Sequence, residues 1–290
     1  MTISFVWDLV QRVTAGAAGA GAAPNGNTLD VSWLGLVSAS GLVLIAVAIS
    51  VWQRLGLARG FIVGGIRAVV QLVAVGYILV YLFANARWWL VLLALVVMLG
   101  AATVTATRRH GKSNAGERRA LWMISGTAML VSAGLTLAYV TQLVLHVRPW
   151  YDPRFLIPLF GMIVGNALNG AALAAERFAS EMESRRGEVE AYLALGATSS
   201  RAAAEPVRRA LVASLIPSVN GLMVVGLVQL PGMMTGQILA GQSPLLAVRY
   251  QIVVAFMLAG ATAATAAMVV LWYRRRFFTS AAQLVVRVPV

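Results

Sequence analysis

Apolar runs of about 20 residues, separated by short polar stretches, recur along this chain at roughly 33–53, 61–83, 88–107, 121–145, 155–176, 210–230 and 250–273. Each is long enough to cross a hydrocarbon layer as a helix, the form that satisfies all backbone polar groups within one segment. The pattern predicts an all-α, polytopic membrane protein with about seven transmembrane helices. Residues 1–30 fall outside it. FVWDLVQRV (5–13) is too short to span, and the small-residue tract AGAAGAGAAPNGN follows at once. These residues read as an extracytoplasmic segment, a short amphipathic surface helix with a flexible Gly/Ala-rich linker; a cleaved signal peptide is the alternative.

Charge orients the array. The connections after the first and third runs carry Arg54 and Arg59, then Arg108, Arg109, Lys112, Arg118 and Arg119, and the last run ends in Arg274, Arg275 and Arg276. The alternate connections hold Arg87, then Arg148 and Arg154, then Arg249. The positive-inside rule therefore predicts a cytoplasmic C-terminus and an outside N-terminus. Interfacial aromatics agree, with Trp33, Trp88, Trp89, Trp150 and Tyr250 at the outer ends and Trp52, Trp122 and Trp272 at the inner ones. At 60% hydrophobic and 11% charged, with mean hydropathy +0.81, the chain is not a soluble domain. Its net charge of +13 lies beside the apolar runs and not in an aromatic-rich patch, so no nucleic acid partner is expected. With no cysteine, disulfides and thiolate metal sites are excluded.

Two energy sources can be weighed from the residues. ATRRHGKS (106–113) has the loose outline of a phosphate-binding loop, but an apolar helix precedes it where a strand is needed, and no strand with a magnesium-binding Asp follows. The chain is not expected to hydrolyse nucleotide or perform any catalysis. Ion-driven carriers usually keep a carboxylate or imidazole at mid-membrane; here no Asp, Glu or His lies in the core of a span, and His110 and His146 sit at span ends or in loops. An ATP-independent secondary carrier is thereby weakened, though it stays as an alternative.

The polar exception is RRGEVEAYLALGATSSRAAAEP (185–206). Six of the ten acidic residues, Glu176, Glu181, Glu183, Glu188, Glu190 and Glu205, fall in it or just before it. From Gly187 on, Val189, Tyr192 and Leu193 share a helical face; Gly196 permits a sharp turn; Thr198, Ser199 and Ser200 offer N-cap hydroxyls; and Pro206 kinks or ends the second helix. The residues alone allow either a solvated connection or a cytoplasmic helix-turn-helix with an apolar tip at Leu195.

EAYLALGAT (190–198) resembles the Glu-Ala-x-x-x-Leu-Gly-Ala coupling motif of ABC transporter permeases, although the distal Ile-x-Leu-Pro element is not at its usual distance and Ile216 and Pro217 come later. IRAVVQLVAVGYIL (66–79), GMIVGNALNGAALAAER (161–177), LIPSVNGLMVVGLVQLPGMMTGQILAG (215–241) and SPLLAVRYQIVV (243–254) extend the likeness to nearly all of the chain after residue 33. The chain is similar to the FetB/YbbM family of bacterial permeases. That resemblance implies a permease domain over 31–290, with a cytoplasmic coupling region at 178–209 in which Glu188, Glu190, Ala191, Leu195, Gly196, Ala197 and Thr198 meet a separate ATP-binding subunit. It also implies a homodimer in the cytoplasmic (inner) membrane, surrounded by lipid, that exports iron or another metal. ATP and magnesium would be bound by the partner, and no cofactor by this chain. Plant relatives are half-transporters linked to aluminium tolerance, so export of an anionic organic compound such as a nucleotide sugar is an alternative.

Candidate pathway residues follow from position. Gly64, Arg67 and Gln71 share a face of the second span, where Arg67 either snorkels to the interface or contacts substrate. On the fifth, Gly161, Gly165 and Asn169 are spaced by four beside Met162 and Asn166, a pattern for close packing or for a polar path, and Asn220 of the sixth is a possible partner in a helix expected to start near Pro217. Between the last two spans, Pro231 and Gly232 begin an outer Met-containing segment, 231–246, with Met233, Met234, Thr235 and Gln237, which must be buried or line a cavity. Thioethers suit soft ions and Fe(II) prefers imidazole or carboxylate, so the metal ligands stay unassigned. Closure of the ATPase would act through 178–209 on a cavity between spans two, five and six.

Overall fold

The apolar runs fold as helices. The computed structural model describes residues 32–108, 115–279, 281 and 283–285. In chain order its helices are α1 (Trp33–Trp52), α2 (Ala58–Ala84), α3 (Trp88–Arg108), α4 (Ala115–Ala138) continuing into a π-turn (Tyr139–Val144), α5 (Pro153–Ser184), α6 (Arg186–Ala194), α7 (Ser199–Ala202), α8 (Ala204–Val224), α9 (Gly232–Leu239) and α10 (Pro244–Arg274), which ends in a 3-10 turn (Arg275–Phe277). Among the described residues 6 helical stretches are long and apolar enough to cross a membrane, and α1 adds a shorter apolar run, Val37–Trp52. The chain is thus a helical, multi-pass membrane protein. The expected surface helix and linker of residues 1–30, and Gly111, Lys112 and Ser113, lie outside the described residues.

The sixth span departs from expectation at both ends. Pro206 does not end a helix; it sits in the first turn of α8, where its missing N–H removes no helical hydrogen bond. Pro217 lies inside α8, not at its start, and leaves the Ala213 carbonyl without its usual donor. The helix then stops at Val224, six residues short of the apolar run's end, because Val225 turns extended and Gly226 takes φ +84°.

The helices group into two units. Residues 32–86 with Gly236–Gln242 form one, in which α1 packs on α2 and the buried Ser50 hydroxyl accepts from the Leu57 N–H at 3.0 Å, closing the turn between them. The second unit is built on α5 and α10, with α3, α4 and α8 packed around them. Asp152 caps α5 by accepting from the Arg154 N–H at 2.9 Å, with Pro153 at the first helical position, and Pro244 likewise starts α10.

Lipid tails are as apolar as leucine, so helices in a membrane associate through close packing and interhelical hydrogen bonds. The α5 seam is accordingly small: Ala167, Ala171, Ala174 and Ala175 are fully buried, as are Ala261 and Ala266 on α10. A Cβ on Gly170 would lie 2.6 Å from the Thr262 methyl, so only glycine permits this approach. Ser132 of α4 and Thr265 of α10 share a short buried hydrogen bond that joins a third helix to the seam.

Gly170→Ala is expected to destabilise the protein by about 1–3 kcal/mol through overpacking against Thr262, whereas Gly165→Ala, with nothing within 4 Å of its added methyl, should be neutral or slightly stabilising. Unfolding in mixed micelles with rising SDS measures both; equal stability of the two variants would contradict the packing account.

Candidate functional site

α5 has 32 residues and a length of about 48 Å, well beyond a hydrocarbon core of about 30 Å. Its last turns are the charged ones, with Glu176, Arg177, Glu181 and Glu183, and there the chain doubles back into α6 and α7. Arg185 sits at the corner. Its guanidinium donates to Glu181 on α5 at 3.2 Å and to Glu188 on α6 at 2.8 Å, while Arg186 pairs with Glu190 at 2.8 Å. The Arg185–Glu181 pair is half-buried and the others more exposed; surface pairs contribute about 0–1 kcal/mol each, so they fix the angle of the corner more than they stabilise it. Glu205, at the start of α8, pairs in the same way with Arg208 and Arg209.

Burial decides how the hairpin is held. Val189 is 1% exposed and enters a cluster with Phe178, Met182, Ala202, Ala203, Tyr273 and Phe277, and Leu193 packs against it from the same face. Tyr192, expected on that face, stays exposed. Gly196, at φ +85°, donates to the Leu193 carbonyl at 3.0 Å, and Ala197 donates to that of Tyr192 at 3.0 Å, so the end of α6 is closed by a left-handed cap that favours glycine. Thr198 then caps α7 by accepting from the Arg201 N–H at 3.4 Å. Between the two caps Leu195 projects with 85% of its surface exposed.

Beneath the hairpin three aromatic rings meet edge to face: Phe277 lies 5.1 Å from both Phe178 and Tyr273, which are 6.0 Å from each other. The Tyr273 hydroxyl donates to Glu117 of α4 at 2.7 Å, and Arg274 donates to Ser200 of α7 at 2.8 Å. The hairpin is therefore bound to the ends of α4, α5 and α10. Sequence reasoning missed this knot; its only trace was the spacing of Tyr273 and Phe277, four apart at the end of the last run.

The pathway residues divide between the two units. Arg67 and Gln71 are exposed on α2, in the first unit. In the second, Met162 is half-buried and Asn166 and Asn169 are exposed on α5; Asn166 donates to its own helix, at the Met162 carbonyl 2.9 Å away, and not to the exposed Asn220 of α8. The fifth span's glycines differ in surroundings: a Cβ on Gly161 would lie 2.9 Å from the Met98 methyl of α3, whereas Gly165 faces open space. Met233, Met234 and Gln237 are half-buried on α9, and the Gln237 Oε1 is buried without a hydrogen-bond partner among the described residues. Met234 lines a cavity of about 350 Å3 together with residues of α8 and α10, among them Gln251. Gln251 was not a sequence candidate; the available signal was a lone amide within the apolar run of α10. Among the described residues no three His, Asp or Glu side chains come together as a metal site.

The profile of the uncharacterised protein family UPF0014 matches residues 33–278. A UPF0014 membrane protein of Synechocystis is 40% identical over 258 residues, 89% of this chain and 98% of that one. The probable iron export permease protein FetB of Escherichia coli is 35% identical over 260 residues, 90% of this chain and 97% of its own. The protein ALUMINUM SENSITIVE 3 of Arabidopsis thaliana is 35% identical over 249 residues, covering 85% and 88%. No solved structure matches the chain.

Val189→Asp should loosen the hairpin, because it places a carboxylate in a fully buried apolar contact, at a cost of about 3 kcal/mol or more. Limited trypsin digestion, read at Arg185, Arg186 and Arg201, is expected to be faster in Val189→Asp and unchanged in Leu195→Asp.

Proposed function

The chain belongs to the UPF0014 family and is a membrane transport component, and on that premise we propose that it is the permease subunit of an ATP-driven exporter whose energy enters through the α6–α7 hairpin. The observation that carries this reading is the hairpin's two-sidedness. Val189 is sealed inside while Leu195 stands out at 85% exposure, so an apolar tip is offered to solvent on a base that cannot tilt independently of α5 and α10. A solvated connection has no need of either feature. An apolar tip flanked by the Arg186–Glu190 pair suits insertion into a cleft of a separate ATP-binding subunit, with Ala191, Gly196, Ala197 and Thr198 shaping its contour.

Each chain carries one hairpin, and an ATPase engine with two halves requires two, so the working unit is a homodimer with two ATPase copies in the cytoplasmic membrane. ATP and magnesium belong to that partner. The cargo is iron or another metal, a reading supported by the Escherichia coli relative, whose name gives probable iron export for that protein. Arg67 supports a second reading. It is exposed on the apolar helix α2, about two and a half turns from its start, where an unscreened guanidinium is costly, and it suits a cargo with an anionic group such as a nucleotide sugar.

Co-expression with the ATPase and purification through a tag on this chain tests the coupling. Leu195→Asp and Gly196→Val are expected to reduce the recovered ATPase about tenfold, on the order of 1.4 kcal/mol of binding, with membrane insertion intact. Full recovery with both variants would sink the coupling role. The cargo readings separate in the reconstituted complex: Arg67→Ala should abolish ATPase stimulation by an anionic organic solute and leave stimulation by iron unchanged.

A further inference from the structure

The groove beside α10 exists because of where α8 breaks. Val224 ends the helix, Gly226 turns left-handed and its N–H closes onto the Gln229 carbonyl at 3.0 Å, and Pro231 redirects the chain into α9. The break leaves open the face of α10 on which Val248, Gln251, Ile252 and Phe256 recur at helical spacing. The resulting cavity of about 350 Å3 has room for roughly ten non-hydrogen atoms.

Its walls are apolar, with Leu222, Leu230, Met234, Ile252 and Phe256, and no charged side chain lines it. The exception is Gln251. It is only 9% exposed, it lines the cavity, and its Oε1 is buried with no hydrogen-bond donor among the described residues. Native interiors rarely leave such an acceptor unsatisfied, so the groove selects a ligand that brings a donor. A bare divalent ion would exchange a full hydration shell for one amide oxygen and the Met234 thioether, far short of the six or more oxygens a hard cation takes. An anion meets no cationic side chain, and a hydrocarbon leaves Oε1 unsatisfied.

We propose that this groove binds an uncharged amphiphilic organic molecule that lays its apolar body against Met234, Ile252 and Phe256 and donates one hydroxyl or amide hydrogen to Gln251. The site stands whether or not transport is ATP-driven. Such a molecule reaches the groove either as a small solute or as a membrane lipid with a free hydroxyl, and the experiment separates the two.

The full-length protein, in phosphatidylcholine nanodiscs, is labelled with 3-azioctanol, a photoreactive alcohol, and the labelled residues are mapped by mass spectrometry. Label is expected on Met234, Ile252 or Phe256, displaced by excess 1-octanol but not by methyl octyl ether, which cannot donate. Gln251→Leu should weaken it about fivefold to tenfold, the loss of one hydrogen bond, while labelling of the exposed Leu72 on α2 stays constant. Ala255→Phe, which fills the groove while keeping Gln251 in place in the chain, should block it if Gln251→Leu misfolds. Displacement by diacylglycerol in the nanodisc assigns the site to lipid; displacement by octanol alone assigns it to a solute. Groove labelling no stronger than that of Leu72, or equal displacement by alcohol and ether, overturns the proposal.

Discussion

The close approach of α5 to α10 is the constraint on which the second unit depends. With no hydrophobic drive between helices in lipid, these two are held by contact itself, and contact requires that Gly170 have no side chain where the Thr262 methyl sits. Buried alanines extend the seam in both directions, and the Ser132–Thr265 hydrogen bond brings α4 onto it. Packed interiors of this density shift between discrete arrangements and do not deform smoothly. A displacement at one end of α5 or α10 is therefore carried along the seam as a whole.

The hairpin makes use of that stiffness. Its ion pairs are half-buried to exposed and lie at the surface, where such pairs contribute little, so they alone hold α6 only loosely. Val189 and the Phe178–Tyr273–Phe277 knot prevent it by placing the hairpin's buried face in the same cluster as the ends of α5 and α10. Glu117 and Ser200 then extend the tie to α4 and α7 through single hydrogen bonds. The hairpin's buried face and the ends of α5 and α10 thus share one packed cluster.

Much of this was legible in the sequence, and the reasons are local. Twenty-residue apolar runs dictate helices in lipid, so helix number and type could be read, as could the Gly196 turn and the Thr198 cap, which depend on a few adjacent residues. Hydropathy does not register a backbone break, so the run 210–230 hid the end of α8 at Val224 and the groove beyond it. Pro206 and Pro217 misled for a related reason: the effect of a proline depends on whether its N–H had a partner to lose, which is fixed by where the helix begins. Phe178 with Tyr273, and Gly170 with Thr262, are about 90 residues apart in the chain, and nothing in either partner's surroundings names the other. Gln251 looked like one polar residue in a long helix; its meaning comes from burial beside a cavity that a distant break creates.

α8 joins these two features. Its first turns enter the hairpin's core through the buried Pro206 and Ala210, next to Ala202 and Ala203. Its last residues, Leu222 and the Val225–Gly226 break, form a wall of the groove. The whole helix is 21 residues, about 31 Å, long enough to bridge a hydrocarbon core. Irregular backbone at membrane depth is tolerated only where protein covers it or where it lines a cavity, and the break satisfies that condition at the end of α8 remote from the hairpin. The same helix that packs into the hairpin's core therefore also walls the groove, so the two features share one continuous element.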